Sequence, residues 1–460
     1  VSILVPIALF GWPVVVAFLF RALPPRRALI VSYLGAILFL PVYHYKIPGI
    51  VDYGKIACTS VGVVLGALLF DQATLFRFRP KWLDLPMIVW ILCPIGSSMS
   101  NDLGIYDGIS ESFGVLSTWG IPYFMGRIYL SDARGLKEVA MALVVGGLIY
   151  VPLCVFESRM SPMLHMLVYG FHQQSWIETI RLGGWRPTVF MDHGLEVSLW
   201  LAFSTLSAFT LWITGAVKRL ANRSMGMWAV LLGGVTILCR SSGAIILLVA
   251  GIATVLACRW SRRGAVFFLL LALPLVYVGA RATGEWTGVG IVQEIAAVDS
   301  ERAASLNYRL RAEDTLIQHA LHRPGLGWAG WGRNRPTRFD PYVTAYAVDG
   351  LWIMELGKHG FVGLGAVLGV LLLPGFILIL RLPRAGWVHP APACAVILAV
   401  VLGLYMIDCL MNAMVNAMYL LGAGGLVGVL STSVTRRQSA PLPNREPGPP
   451  PHVAPPGVAG

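Results

Sequence analysis

Charge is the scarcest resource in this sequence. Asp, Glu, Lys and Arg make up 13% of its 460 residues, about half the share found in soluble domains, which is too little to cover a water-facing globule. Acidic residues number 23 against 35 Lys and Arg. The basic excess excludes a nucleic-acid partner, because it is spread over short loops and does not form a patch. Cysteines are few, and Cys58, Cys93, Cys154, Cys239, Cys258, Cys394 and Cys409 lie in or at the ends of apolar runs. None forms a C-x-x-C pair and the long polar loops hold none, which excludes a disulfide framework and a cysteine metal site. The first apolar run has neither preceding basic residues nor a small-residue cleavage site, so no secretory signal is expected. Internal repeats and inverted pairs of broken helices, the marks of many secondary transporters, are also missing.

Apolar sequence fills the space that charge leaves. Hydrophobic residues reach 56% and mean hydropathy is +0.70. The 15 Trp, 50 Gly and 29 Pro suit membrane helices, which tolerate Gly and Pro and collect Trp at their ends. The fold class expected is an all-α polytopic membrane protein. With about 20 apolar residues needed per crossing, the spans fall at roughly 2–20, 28–45, 53–70, 84–99, 113–127, 138–156, 195–217, 226–239, 242–258, 264–280, 361–380, 391–408 and 412–432. That is 12 or 13 helices within a 1–432 membrane domain. Residues 433–460, rich in Pro, read as a disordered tail.

Every second connection is basic: Arg21, Arg26 and Arg27; Arg77, Arg79 and Lys81; Arg127, Arg134 and Lys137; Lys218, Arg219 and Arg223; Arg259, Arg262 and Arg263; Arg381 and Arg384; Arg436 and Arg437. These are expected to be cytoplasmic, as is the C-terminal tail. The long loops at 157–194 and 281–349 then share the outer face with the N-terminus.

Polar chemistry concentrates in those two loops. The first, HQQSWIETIRLGGWRPTVFMDHGLEVSLW, combines Arg181 and Arg186 with Asp192, His193 and Glu196. Pro187 fixes the backbone beside Arg186, and the next span begins within ten residues, so this guanidinium is expected at headgroup depth. In the second loop, Leu306, Leu310, Ile317 and Leu321 lie on one face of a helix. Ser305 is its expected N-cap, and His319, His322 and Arg323 crowd its last turn before Pro324-Gly325. Arg309 and Glu313, one turn apart, are placed to pair with each other. Trp328, Trp331, Tyr342, Tyr346 and Trp352 offer flat faces with polar edges, suited to stacking on sugar rings or to a membrane belt. Asp349 heads a short segment before the 361–380 span, where a carboxylate also favours a helix start. Arginine matches phosphate oxygens bidentately and stays charged, so a lipid-linked diphosphate fits this collection.

Three stretches carry a family likeness: RPTVFMDHGLEVSLWLA, RSSGAIILLVAG, and SLNYRLRAEDTLIQHALHRPGLGWAGWG followed by DGLWIMELGKHGFVGLG. Over about residues 180–380 the chain resembles the O-antigen ligase / O-antigen polymerase superfamily of bacterial inner-membrane glycosyltransferases. The resemblance implies transfer of a glycan from a polyprenyl-diphosphate carrier to a glycan or lipid acceptor hydroxyl at the periplasmic face. It places the diphosphate clamp on Arg186 and Arg309, with Arg240 and Arg311 in reserve. The family's histidine ahead of its Glu-x-Gly segment has no counterpart here, and Asp349 or Tyr346 stands nearby. Asp349 is therefore the first choice of general base, followed by His193 and His322. No metal or cofactor is expected, since arginines supply the positive charge. Ligase and polymerase are not distinguished. Two other functions compete: a transporter or exporter of an anionic glycolipid or small anion, for which only Lys55, Glu196 and Asp408 read as intramembrane ionisable residues, and a scaffold with a decayed site.

Overall fold

The computed structural model describes residues 2–47, 52–181, 183–297, 299–336, 350–387 and 389–438. The chain opens with α1 Leu4–Ala22, α2 Pro25–Phe39 and α3 Lys55–Phe70, then the short α4 Gln72–Arg77. Next come α5 Leu85–Ser100, α6 Ile105–Val115, α7 Ile121–Tyr129, α8 Ala133–Met160 and the short α9 Leu164–Tyr169. The middle holds α10 Gly194–Ile213, α11 Met225–Leu238, α12 Ser242–Ser261 and α13 Ala265–Ala282. After α14 Val289–Ala296 and α15 Ser300–Ala320, the chain ends in α16 Leu351–Arg381, α17 Ala393–Asp408 and α18 Ala417–Gln438. The described strands form three two-residue antiparallel pairs: β1 Tyr45–Lys46 with β2 Asp52–Tyr53, β3 Ile180–Arg181 with β4 Gly184–Trp185, and β5 Arg219–Leu220 with β6 Arg223–Ser224.

The protein is an all-α polytopic membrane protein. Among the described residues, seven helical stretches are long and apolar enough to cross a membrane: α1, Trp82–Ser100, α8, α10, α12, α13 and α16. Four more apolar helices are shorter, α3, α11, α17 and Ala417–Ser431 of α18. Each of the thirteen expected spans falls on a helix, although several are shorter than a full crossing. The run at 113–127 is divided, with a π-turn at Leu116–Gly120 between α6 and α7. Of the expected tail, 433–438 continues α18, and 439–460 lies outside the described residues.

Helices at the centre of the bundle bury their whole circumference and those at its edge bury one stripe, as amphipathicity requires. Over its most apolar 18-residue stretch α10 is 83% buried, whereas α1 is 22% and α13 is 28% buried. Around α10 pack α17 and α18, whose Leu398, Val401, Leu404, Leu420 and Leu426 are buried. The edge helices turn Val14, Phe18, Val230, Leu269 and Val276 outward, the surface that lipid tails cover.

Alternation of the helices puts the two long loops at one end of the bundle, the loop face. A contact agrees with this: the α11–α12 junction at Arg240, two connections on from the first long loop, touches the β3–β4 hairpin of that loop, and α12 and α13 then return the chain to the same end. At the opposite end, Asp84 ties the start of α5 to α7, accepting from Arg127 Nε and Tyr123 Oη, each at 3.0 Å.

The second loop departs from its expected outline. Its helix begins at Ser300, not Ser305, because the intervening ERAAS contains no breaker. Leu310 and Ile317 are buried as expected, but Leu321 is exposed. Glu313 does not pair with Arg309. Its Oε2 accepts from Arg281 Nε of α13 at 3.2 Å and from Tyr277 Oη at 2.7 Å. Arg281 also donates to Leu310 O at 2.7 Å and pairs with Asp314 at 2.9 Å. This network fastens α15 to α13. Beyond it, Gly360 bends α16 at φ +63, where a Cβ would lie 2.3 Å from Gly325 O. Only glycine fits there, and it lets the 324–330 segment lie against α16.

Candidate functional site

The most unusual cation on the loop face is Arg186. It follows β4, where the hairpin register pairs Ile180 with Trp185 and Arg181 with Gly184. Gly183 makes the turn at φ +70, and Trp176 braces Trp185 with ring centroids 5.4 Å apart. The Arg186 amide donates to Thr179 O at 2.7 Å, closing the hairpin base. The chain is then held by one carboxylate. Glu157, at the end of α8 and fully buried, accepts from the amides of Thr188 and Val189 at 2.8 Å each and from Leu164 at 2.9 Å. Val189 adopts φ +49, a left-handed conformation costly for a β-branched residue. The strain persists because Glu157 satisfies the turn from both sides.

Arg186 is 7% exposed. Its methylenes run over Gly194 at the start of α10, where a Cβ would lie 2.5 Å from Cδ. Nη2 donates to Arg240 O at 3.3 Å, and Nε is buried with no partner. Arg240 itself sits at φ +54 and donates from Nη1 to Arg181 O at 3.3 Å, its guanidinium resting on Gly184. Three arginines thus meet at one end of the bundle. Burial pushes the Arg186 guanidinium down to about 10, and the Arg181 charge adds to the effect. At neutral pH it remains a cation in an unfavourable place.

The other buried cations show what is missing. Lys55 pairs with Asp192 at 2.5 Å, Arg127 with Asp84 at 3.0 Å and Arg281 with Glu313 at 3.2 Å. Among the described residues, no carboxylate forms an ion pair with Arg186. A buried charge without a counter-ion is strongly unfavourable.

The remaining candidates are dispersed. Arg309 is half-buried on α15, within electrostatic reach of Asp408 at the end of α17; Asp408 also accepts from Asn412 at 3.0 Å. Arg311 and His322 are exposed. Asp349 and Tyr346, like Tyr342, lie outside the described residues. The structure therefore brings Arg186 and Arg240 together and places Arg309 and Arg311 on a separate helix. His193 caps α10: its Nδ1 accepts from Leu195 N at 3.0 Å and its Nε2 faces Glu178 at 3.3 Å. Burial holds the imidazole below its usual range against the pull of Glu178. With both ring nitrogens engaged, His193 is poorly placed to take a proton from a ligand.

The aromatic residues also separate. Trp331 is 81% exposed. Trp328 stacks on His319 with centroids 4.5 Å apart and carries Arg323 over its ring. Trp352 is not a stacking platform. It is fully buried, donating from Nε1 to Leu410 O at 3.1 Å and facing Glu313 at 3.4 Å.

Sequence reasoning missed two features. Glu157 sits in an apolar run whose end looked like a span boundary, and nothing local marks it as the brace of a loop thirty residues on. A second polar centre joins Glu355 and His359 of α16 to Glu111 of α6. The i,i+4 spacing of Glu355 and His359 was a readable signal; the approach of Glu111 was not. With Asp84, Arg127, Arg281 and Glu313 these make ionisable groups inside the bundle more numerous than the three expected. Among the described residues, no group of three or more His, Cys, Asp or Glu side chains is placed to hold a metal ion.

Comparison with known protein families and with curated proteins finds no match for this chain. The functional reading rests on the geometry above.

Proposed function

We propose that the protein transfers an oligosaccharide from a polyprenyl-diphosphate carrier to an acceptor hydroxyl, with the loop face as the periplasmic face of a bacterial inner membrane. One observation carries this reading: Arg186 is a buried guanidinium with no carboxylate partner among the described residues, beside Arg181 and Arg240. A diphosphate supplies the missing charge and enough oxygens for more than one arginine. Leu167, Ile177 and Ile180 expose apolar side chains around the same hairpin, a surface on which a polyprenyl chain can rest.

In the reaction, the acceptor oxygen bonds to the anomeric carbon and the bond from that carbon to the phosphate oxygen breaks. The electron pair leaves with the diphosphate, and fixed guanidiniums in a partly dry site stabilise the charge that develops. The acceptor proton passes to a general base. Asp349 is the proposed base, since His193 is committed to capping α10. Arg309, half-buried on α15 apart from the Arg186 cluster, is the proposed second contact to the donor.

The test is transfer by purified protein in lipid nanodiscs supplied with a radiolabelled lipid-linked oligosaccharide and its acceptor. Arg186→Lys should reduce transfer by about 100-fold or more, the usual cost of one lost charge-stabilising contact, while expression and folding are retained. Undiminished transfer would remove the clamp. Movement of intact donor across a vesicle membrane without transfer would establish an exporter instead.

A further inference from the structure

A second polar centre on the loop face is unused by the diphosphate reading. His359, 1% exposed, holds Glu355 Oε2 at 2.7 Å through Nδ1, and the same oxygen accepts from Trp90 Nε1 at 3.1 Å. His359 Nε2 has no hydrogen-bond partner and points toward Glu111 Oε1, 3.7 Å away. Lys358 reaches the same oxygen at 3.2 Å. The Glu111 and Lys358 side chains are 22% and 32% exposed, so a ligand can approach from outside while the histidine stands behind.

The Gly-rich segment after α15 forms the rim. Trp328 N donates to Gly357 O and Ala329 N to Lys358 O, both at 2.9 Å. Gly330 comes so close that a Cβ would lie 3.0 Å from Glu111 Oε2. Two non-glycine residues here, Ala329 at φ +63 and Trp331 at φ +61, adopt the left-handed region. Such conformations survive where surrounding contacts enforce them, and they gather at functional sites. Their effect is to present an exposed indole one residue from the Gly330–Glu111 contact.

We infer that Glu111, Lys358 and Trp331 form a sugar-binding subsite for the acceptor glycan, with His359 and Glu355 as positioning residues. The identity of its occupant rests on the transferase reading. A carboxylate accepting and an ammonium donating side by side suit neighbouring sugar hydroxyls. An exposed indole suits the apolar face of a pyranose. The buried, unpartnered Nε2 stands 3.7 Å behind Glu111 Oε1 and biases that carboxylate toward the subsite.

The experiment is retention of the full-length protein, in nanodiscs and without donor, on an array of oligosaccharide fragments from bacterial surface polysaccharides. Polyprenyl-diphosphate binding is measured in parallel on the same preparations. The wild type should retain a subset of fragments; Trp331→Ala and Glu111→Gln should each weaken retention about tenfold or more, and Trp331→Phe should preserve most of it. Diphosphate binding should not change in any of them. Trp331 is exposed, so its loss leaves the bundle intact even if Glu111→Gln disturbs α6. The inference is overturned if the wild type retains no fragment while binding diphosphate normally, or if Trp331→Ala retains fragments as well as wild type and alters only membrane association. Retention without any diphosphate binding would support the subsite and remove the transferase reading.

Discussion

Arg186 donates from Nη2 to the backbone carbonyl of Arg240 across 54 residues of sequence, at 3.3 Å. The contact joins the first long loop to the turn between α11 and α12, and it brings two guanidiniums to one edge of the bundle. Among the described residues, no counter-charge comes with it. Burial pushes the Arg186 pKa down to about 10, a cost on the order of a few kcal/mol against the folded state at neutral pH. Replacing the cation by an apolar side chain of similar length should relieve part of it. Arg186→Met is therefore expected to be more stable than wild type by about 1–3 kcal/mol without ligand, and to gain nothing from added diphosphate. Thermal unfolding in detergent with and without diphosphate checks both halves. A variant markedly less stable than wild type would show that the guanidinium is already satisfied.

Glu157 should matter more than its distance from the arginines implies. It accepts three amide hydrogens from the turn that carries Arg186. Glu157→Gln turns one acceptor arm into a donor facing other donors. Hydrogen bonds to a charged group contribute about 1.5–3 kcal/mol each, so a loss of about 2–4 kcal/mol in stability is expected. Hydrogen exchange at Thr188 and Val189 should quicken in step. Unchanged exchange would mean that the strained turn holds itself.

The cap of α10 should respond to acid. Because burial holds His193 below its usual range, the folded state disfavours the imidazolium. Stability from this cap is present above the unfolded value of about 6.5 and is lost as pH falls through it toward the lower folded value. Protonation also removes the Nδ1 acceptor that Leu195 N uses. Asn caps a helix regardless of pH, so His193→Asn should flatten the dependence between about pH 7 and pH 5. Melting temperature against pH for the two proteins decides this, and parallel curves would refute it.

The anchor of α15 follows the rule for buried ion pairs. Glu313→Ala leaves Arg281 buried with one fewer partner and should cost about 3–5 kcal/mol. The double variant Arg281→Met, Glu313→Leu should recover most of that. A double variant no better than the single one would show that Tyr277 and Asp314 depend on the charges themselves.

Much of the fold was legible because it depends on composition. A chain so rich in apolar runs required an all-α polytopic bundle, and the structure has it. Boundaries were harder to read: Ser305 looked like a cap, yet ERAAS continues the helix to Ser300. Within the site, Arg186 could be singled out from Pro187 and the coming span, whereas Arg240 entered only through the family resemblance. Pairings across the bundle could not be read. Glu313 chose Arg281 over Arg309 because burial favours the partner on the packed side of α15. Trp352 resembled a surface aromatic, yet it is buried against Leu410 and Tyr277, partners that lie far away in the sequence.

The central claim is that Arg186 waits for a diphosphate. The most direct measurement is equilibrium binding of a polyprenyl diphosphate to the protein in nanodiscs, at neutral pH and fixed salt, for wild type and Arg186→Lys. The account predicts saturable binding by wild type, competed by inorganic diphosphate, and at least tenfold weaker binding by the lysine variant because the bidentate fork is gone. Equal affinity in the two proteins, or no saturable binding by wild type, would contradict it.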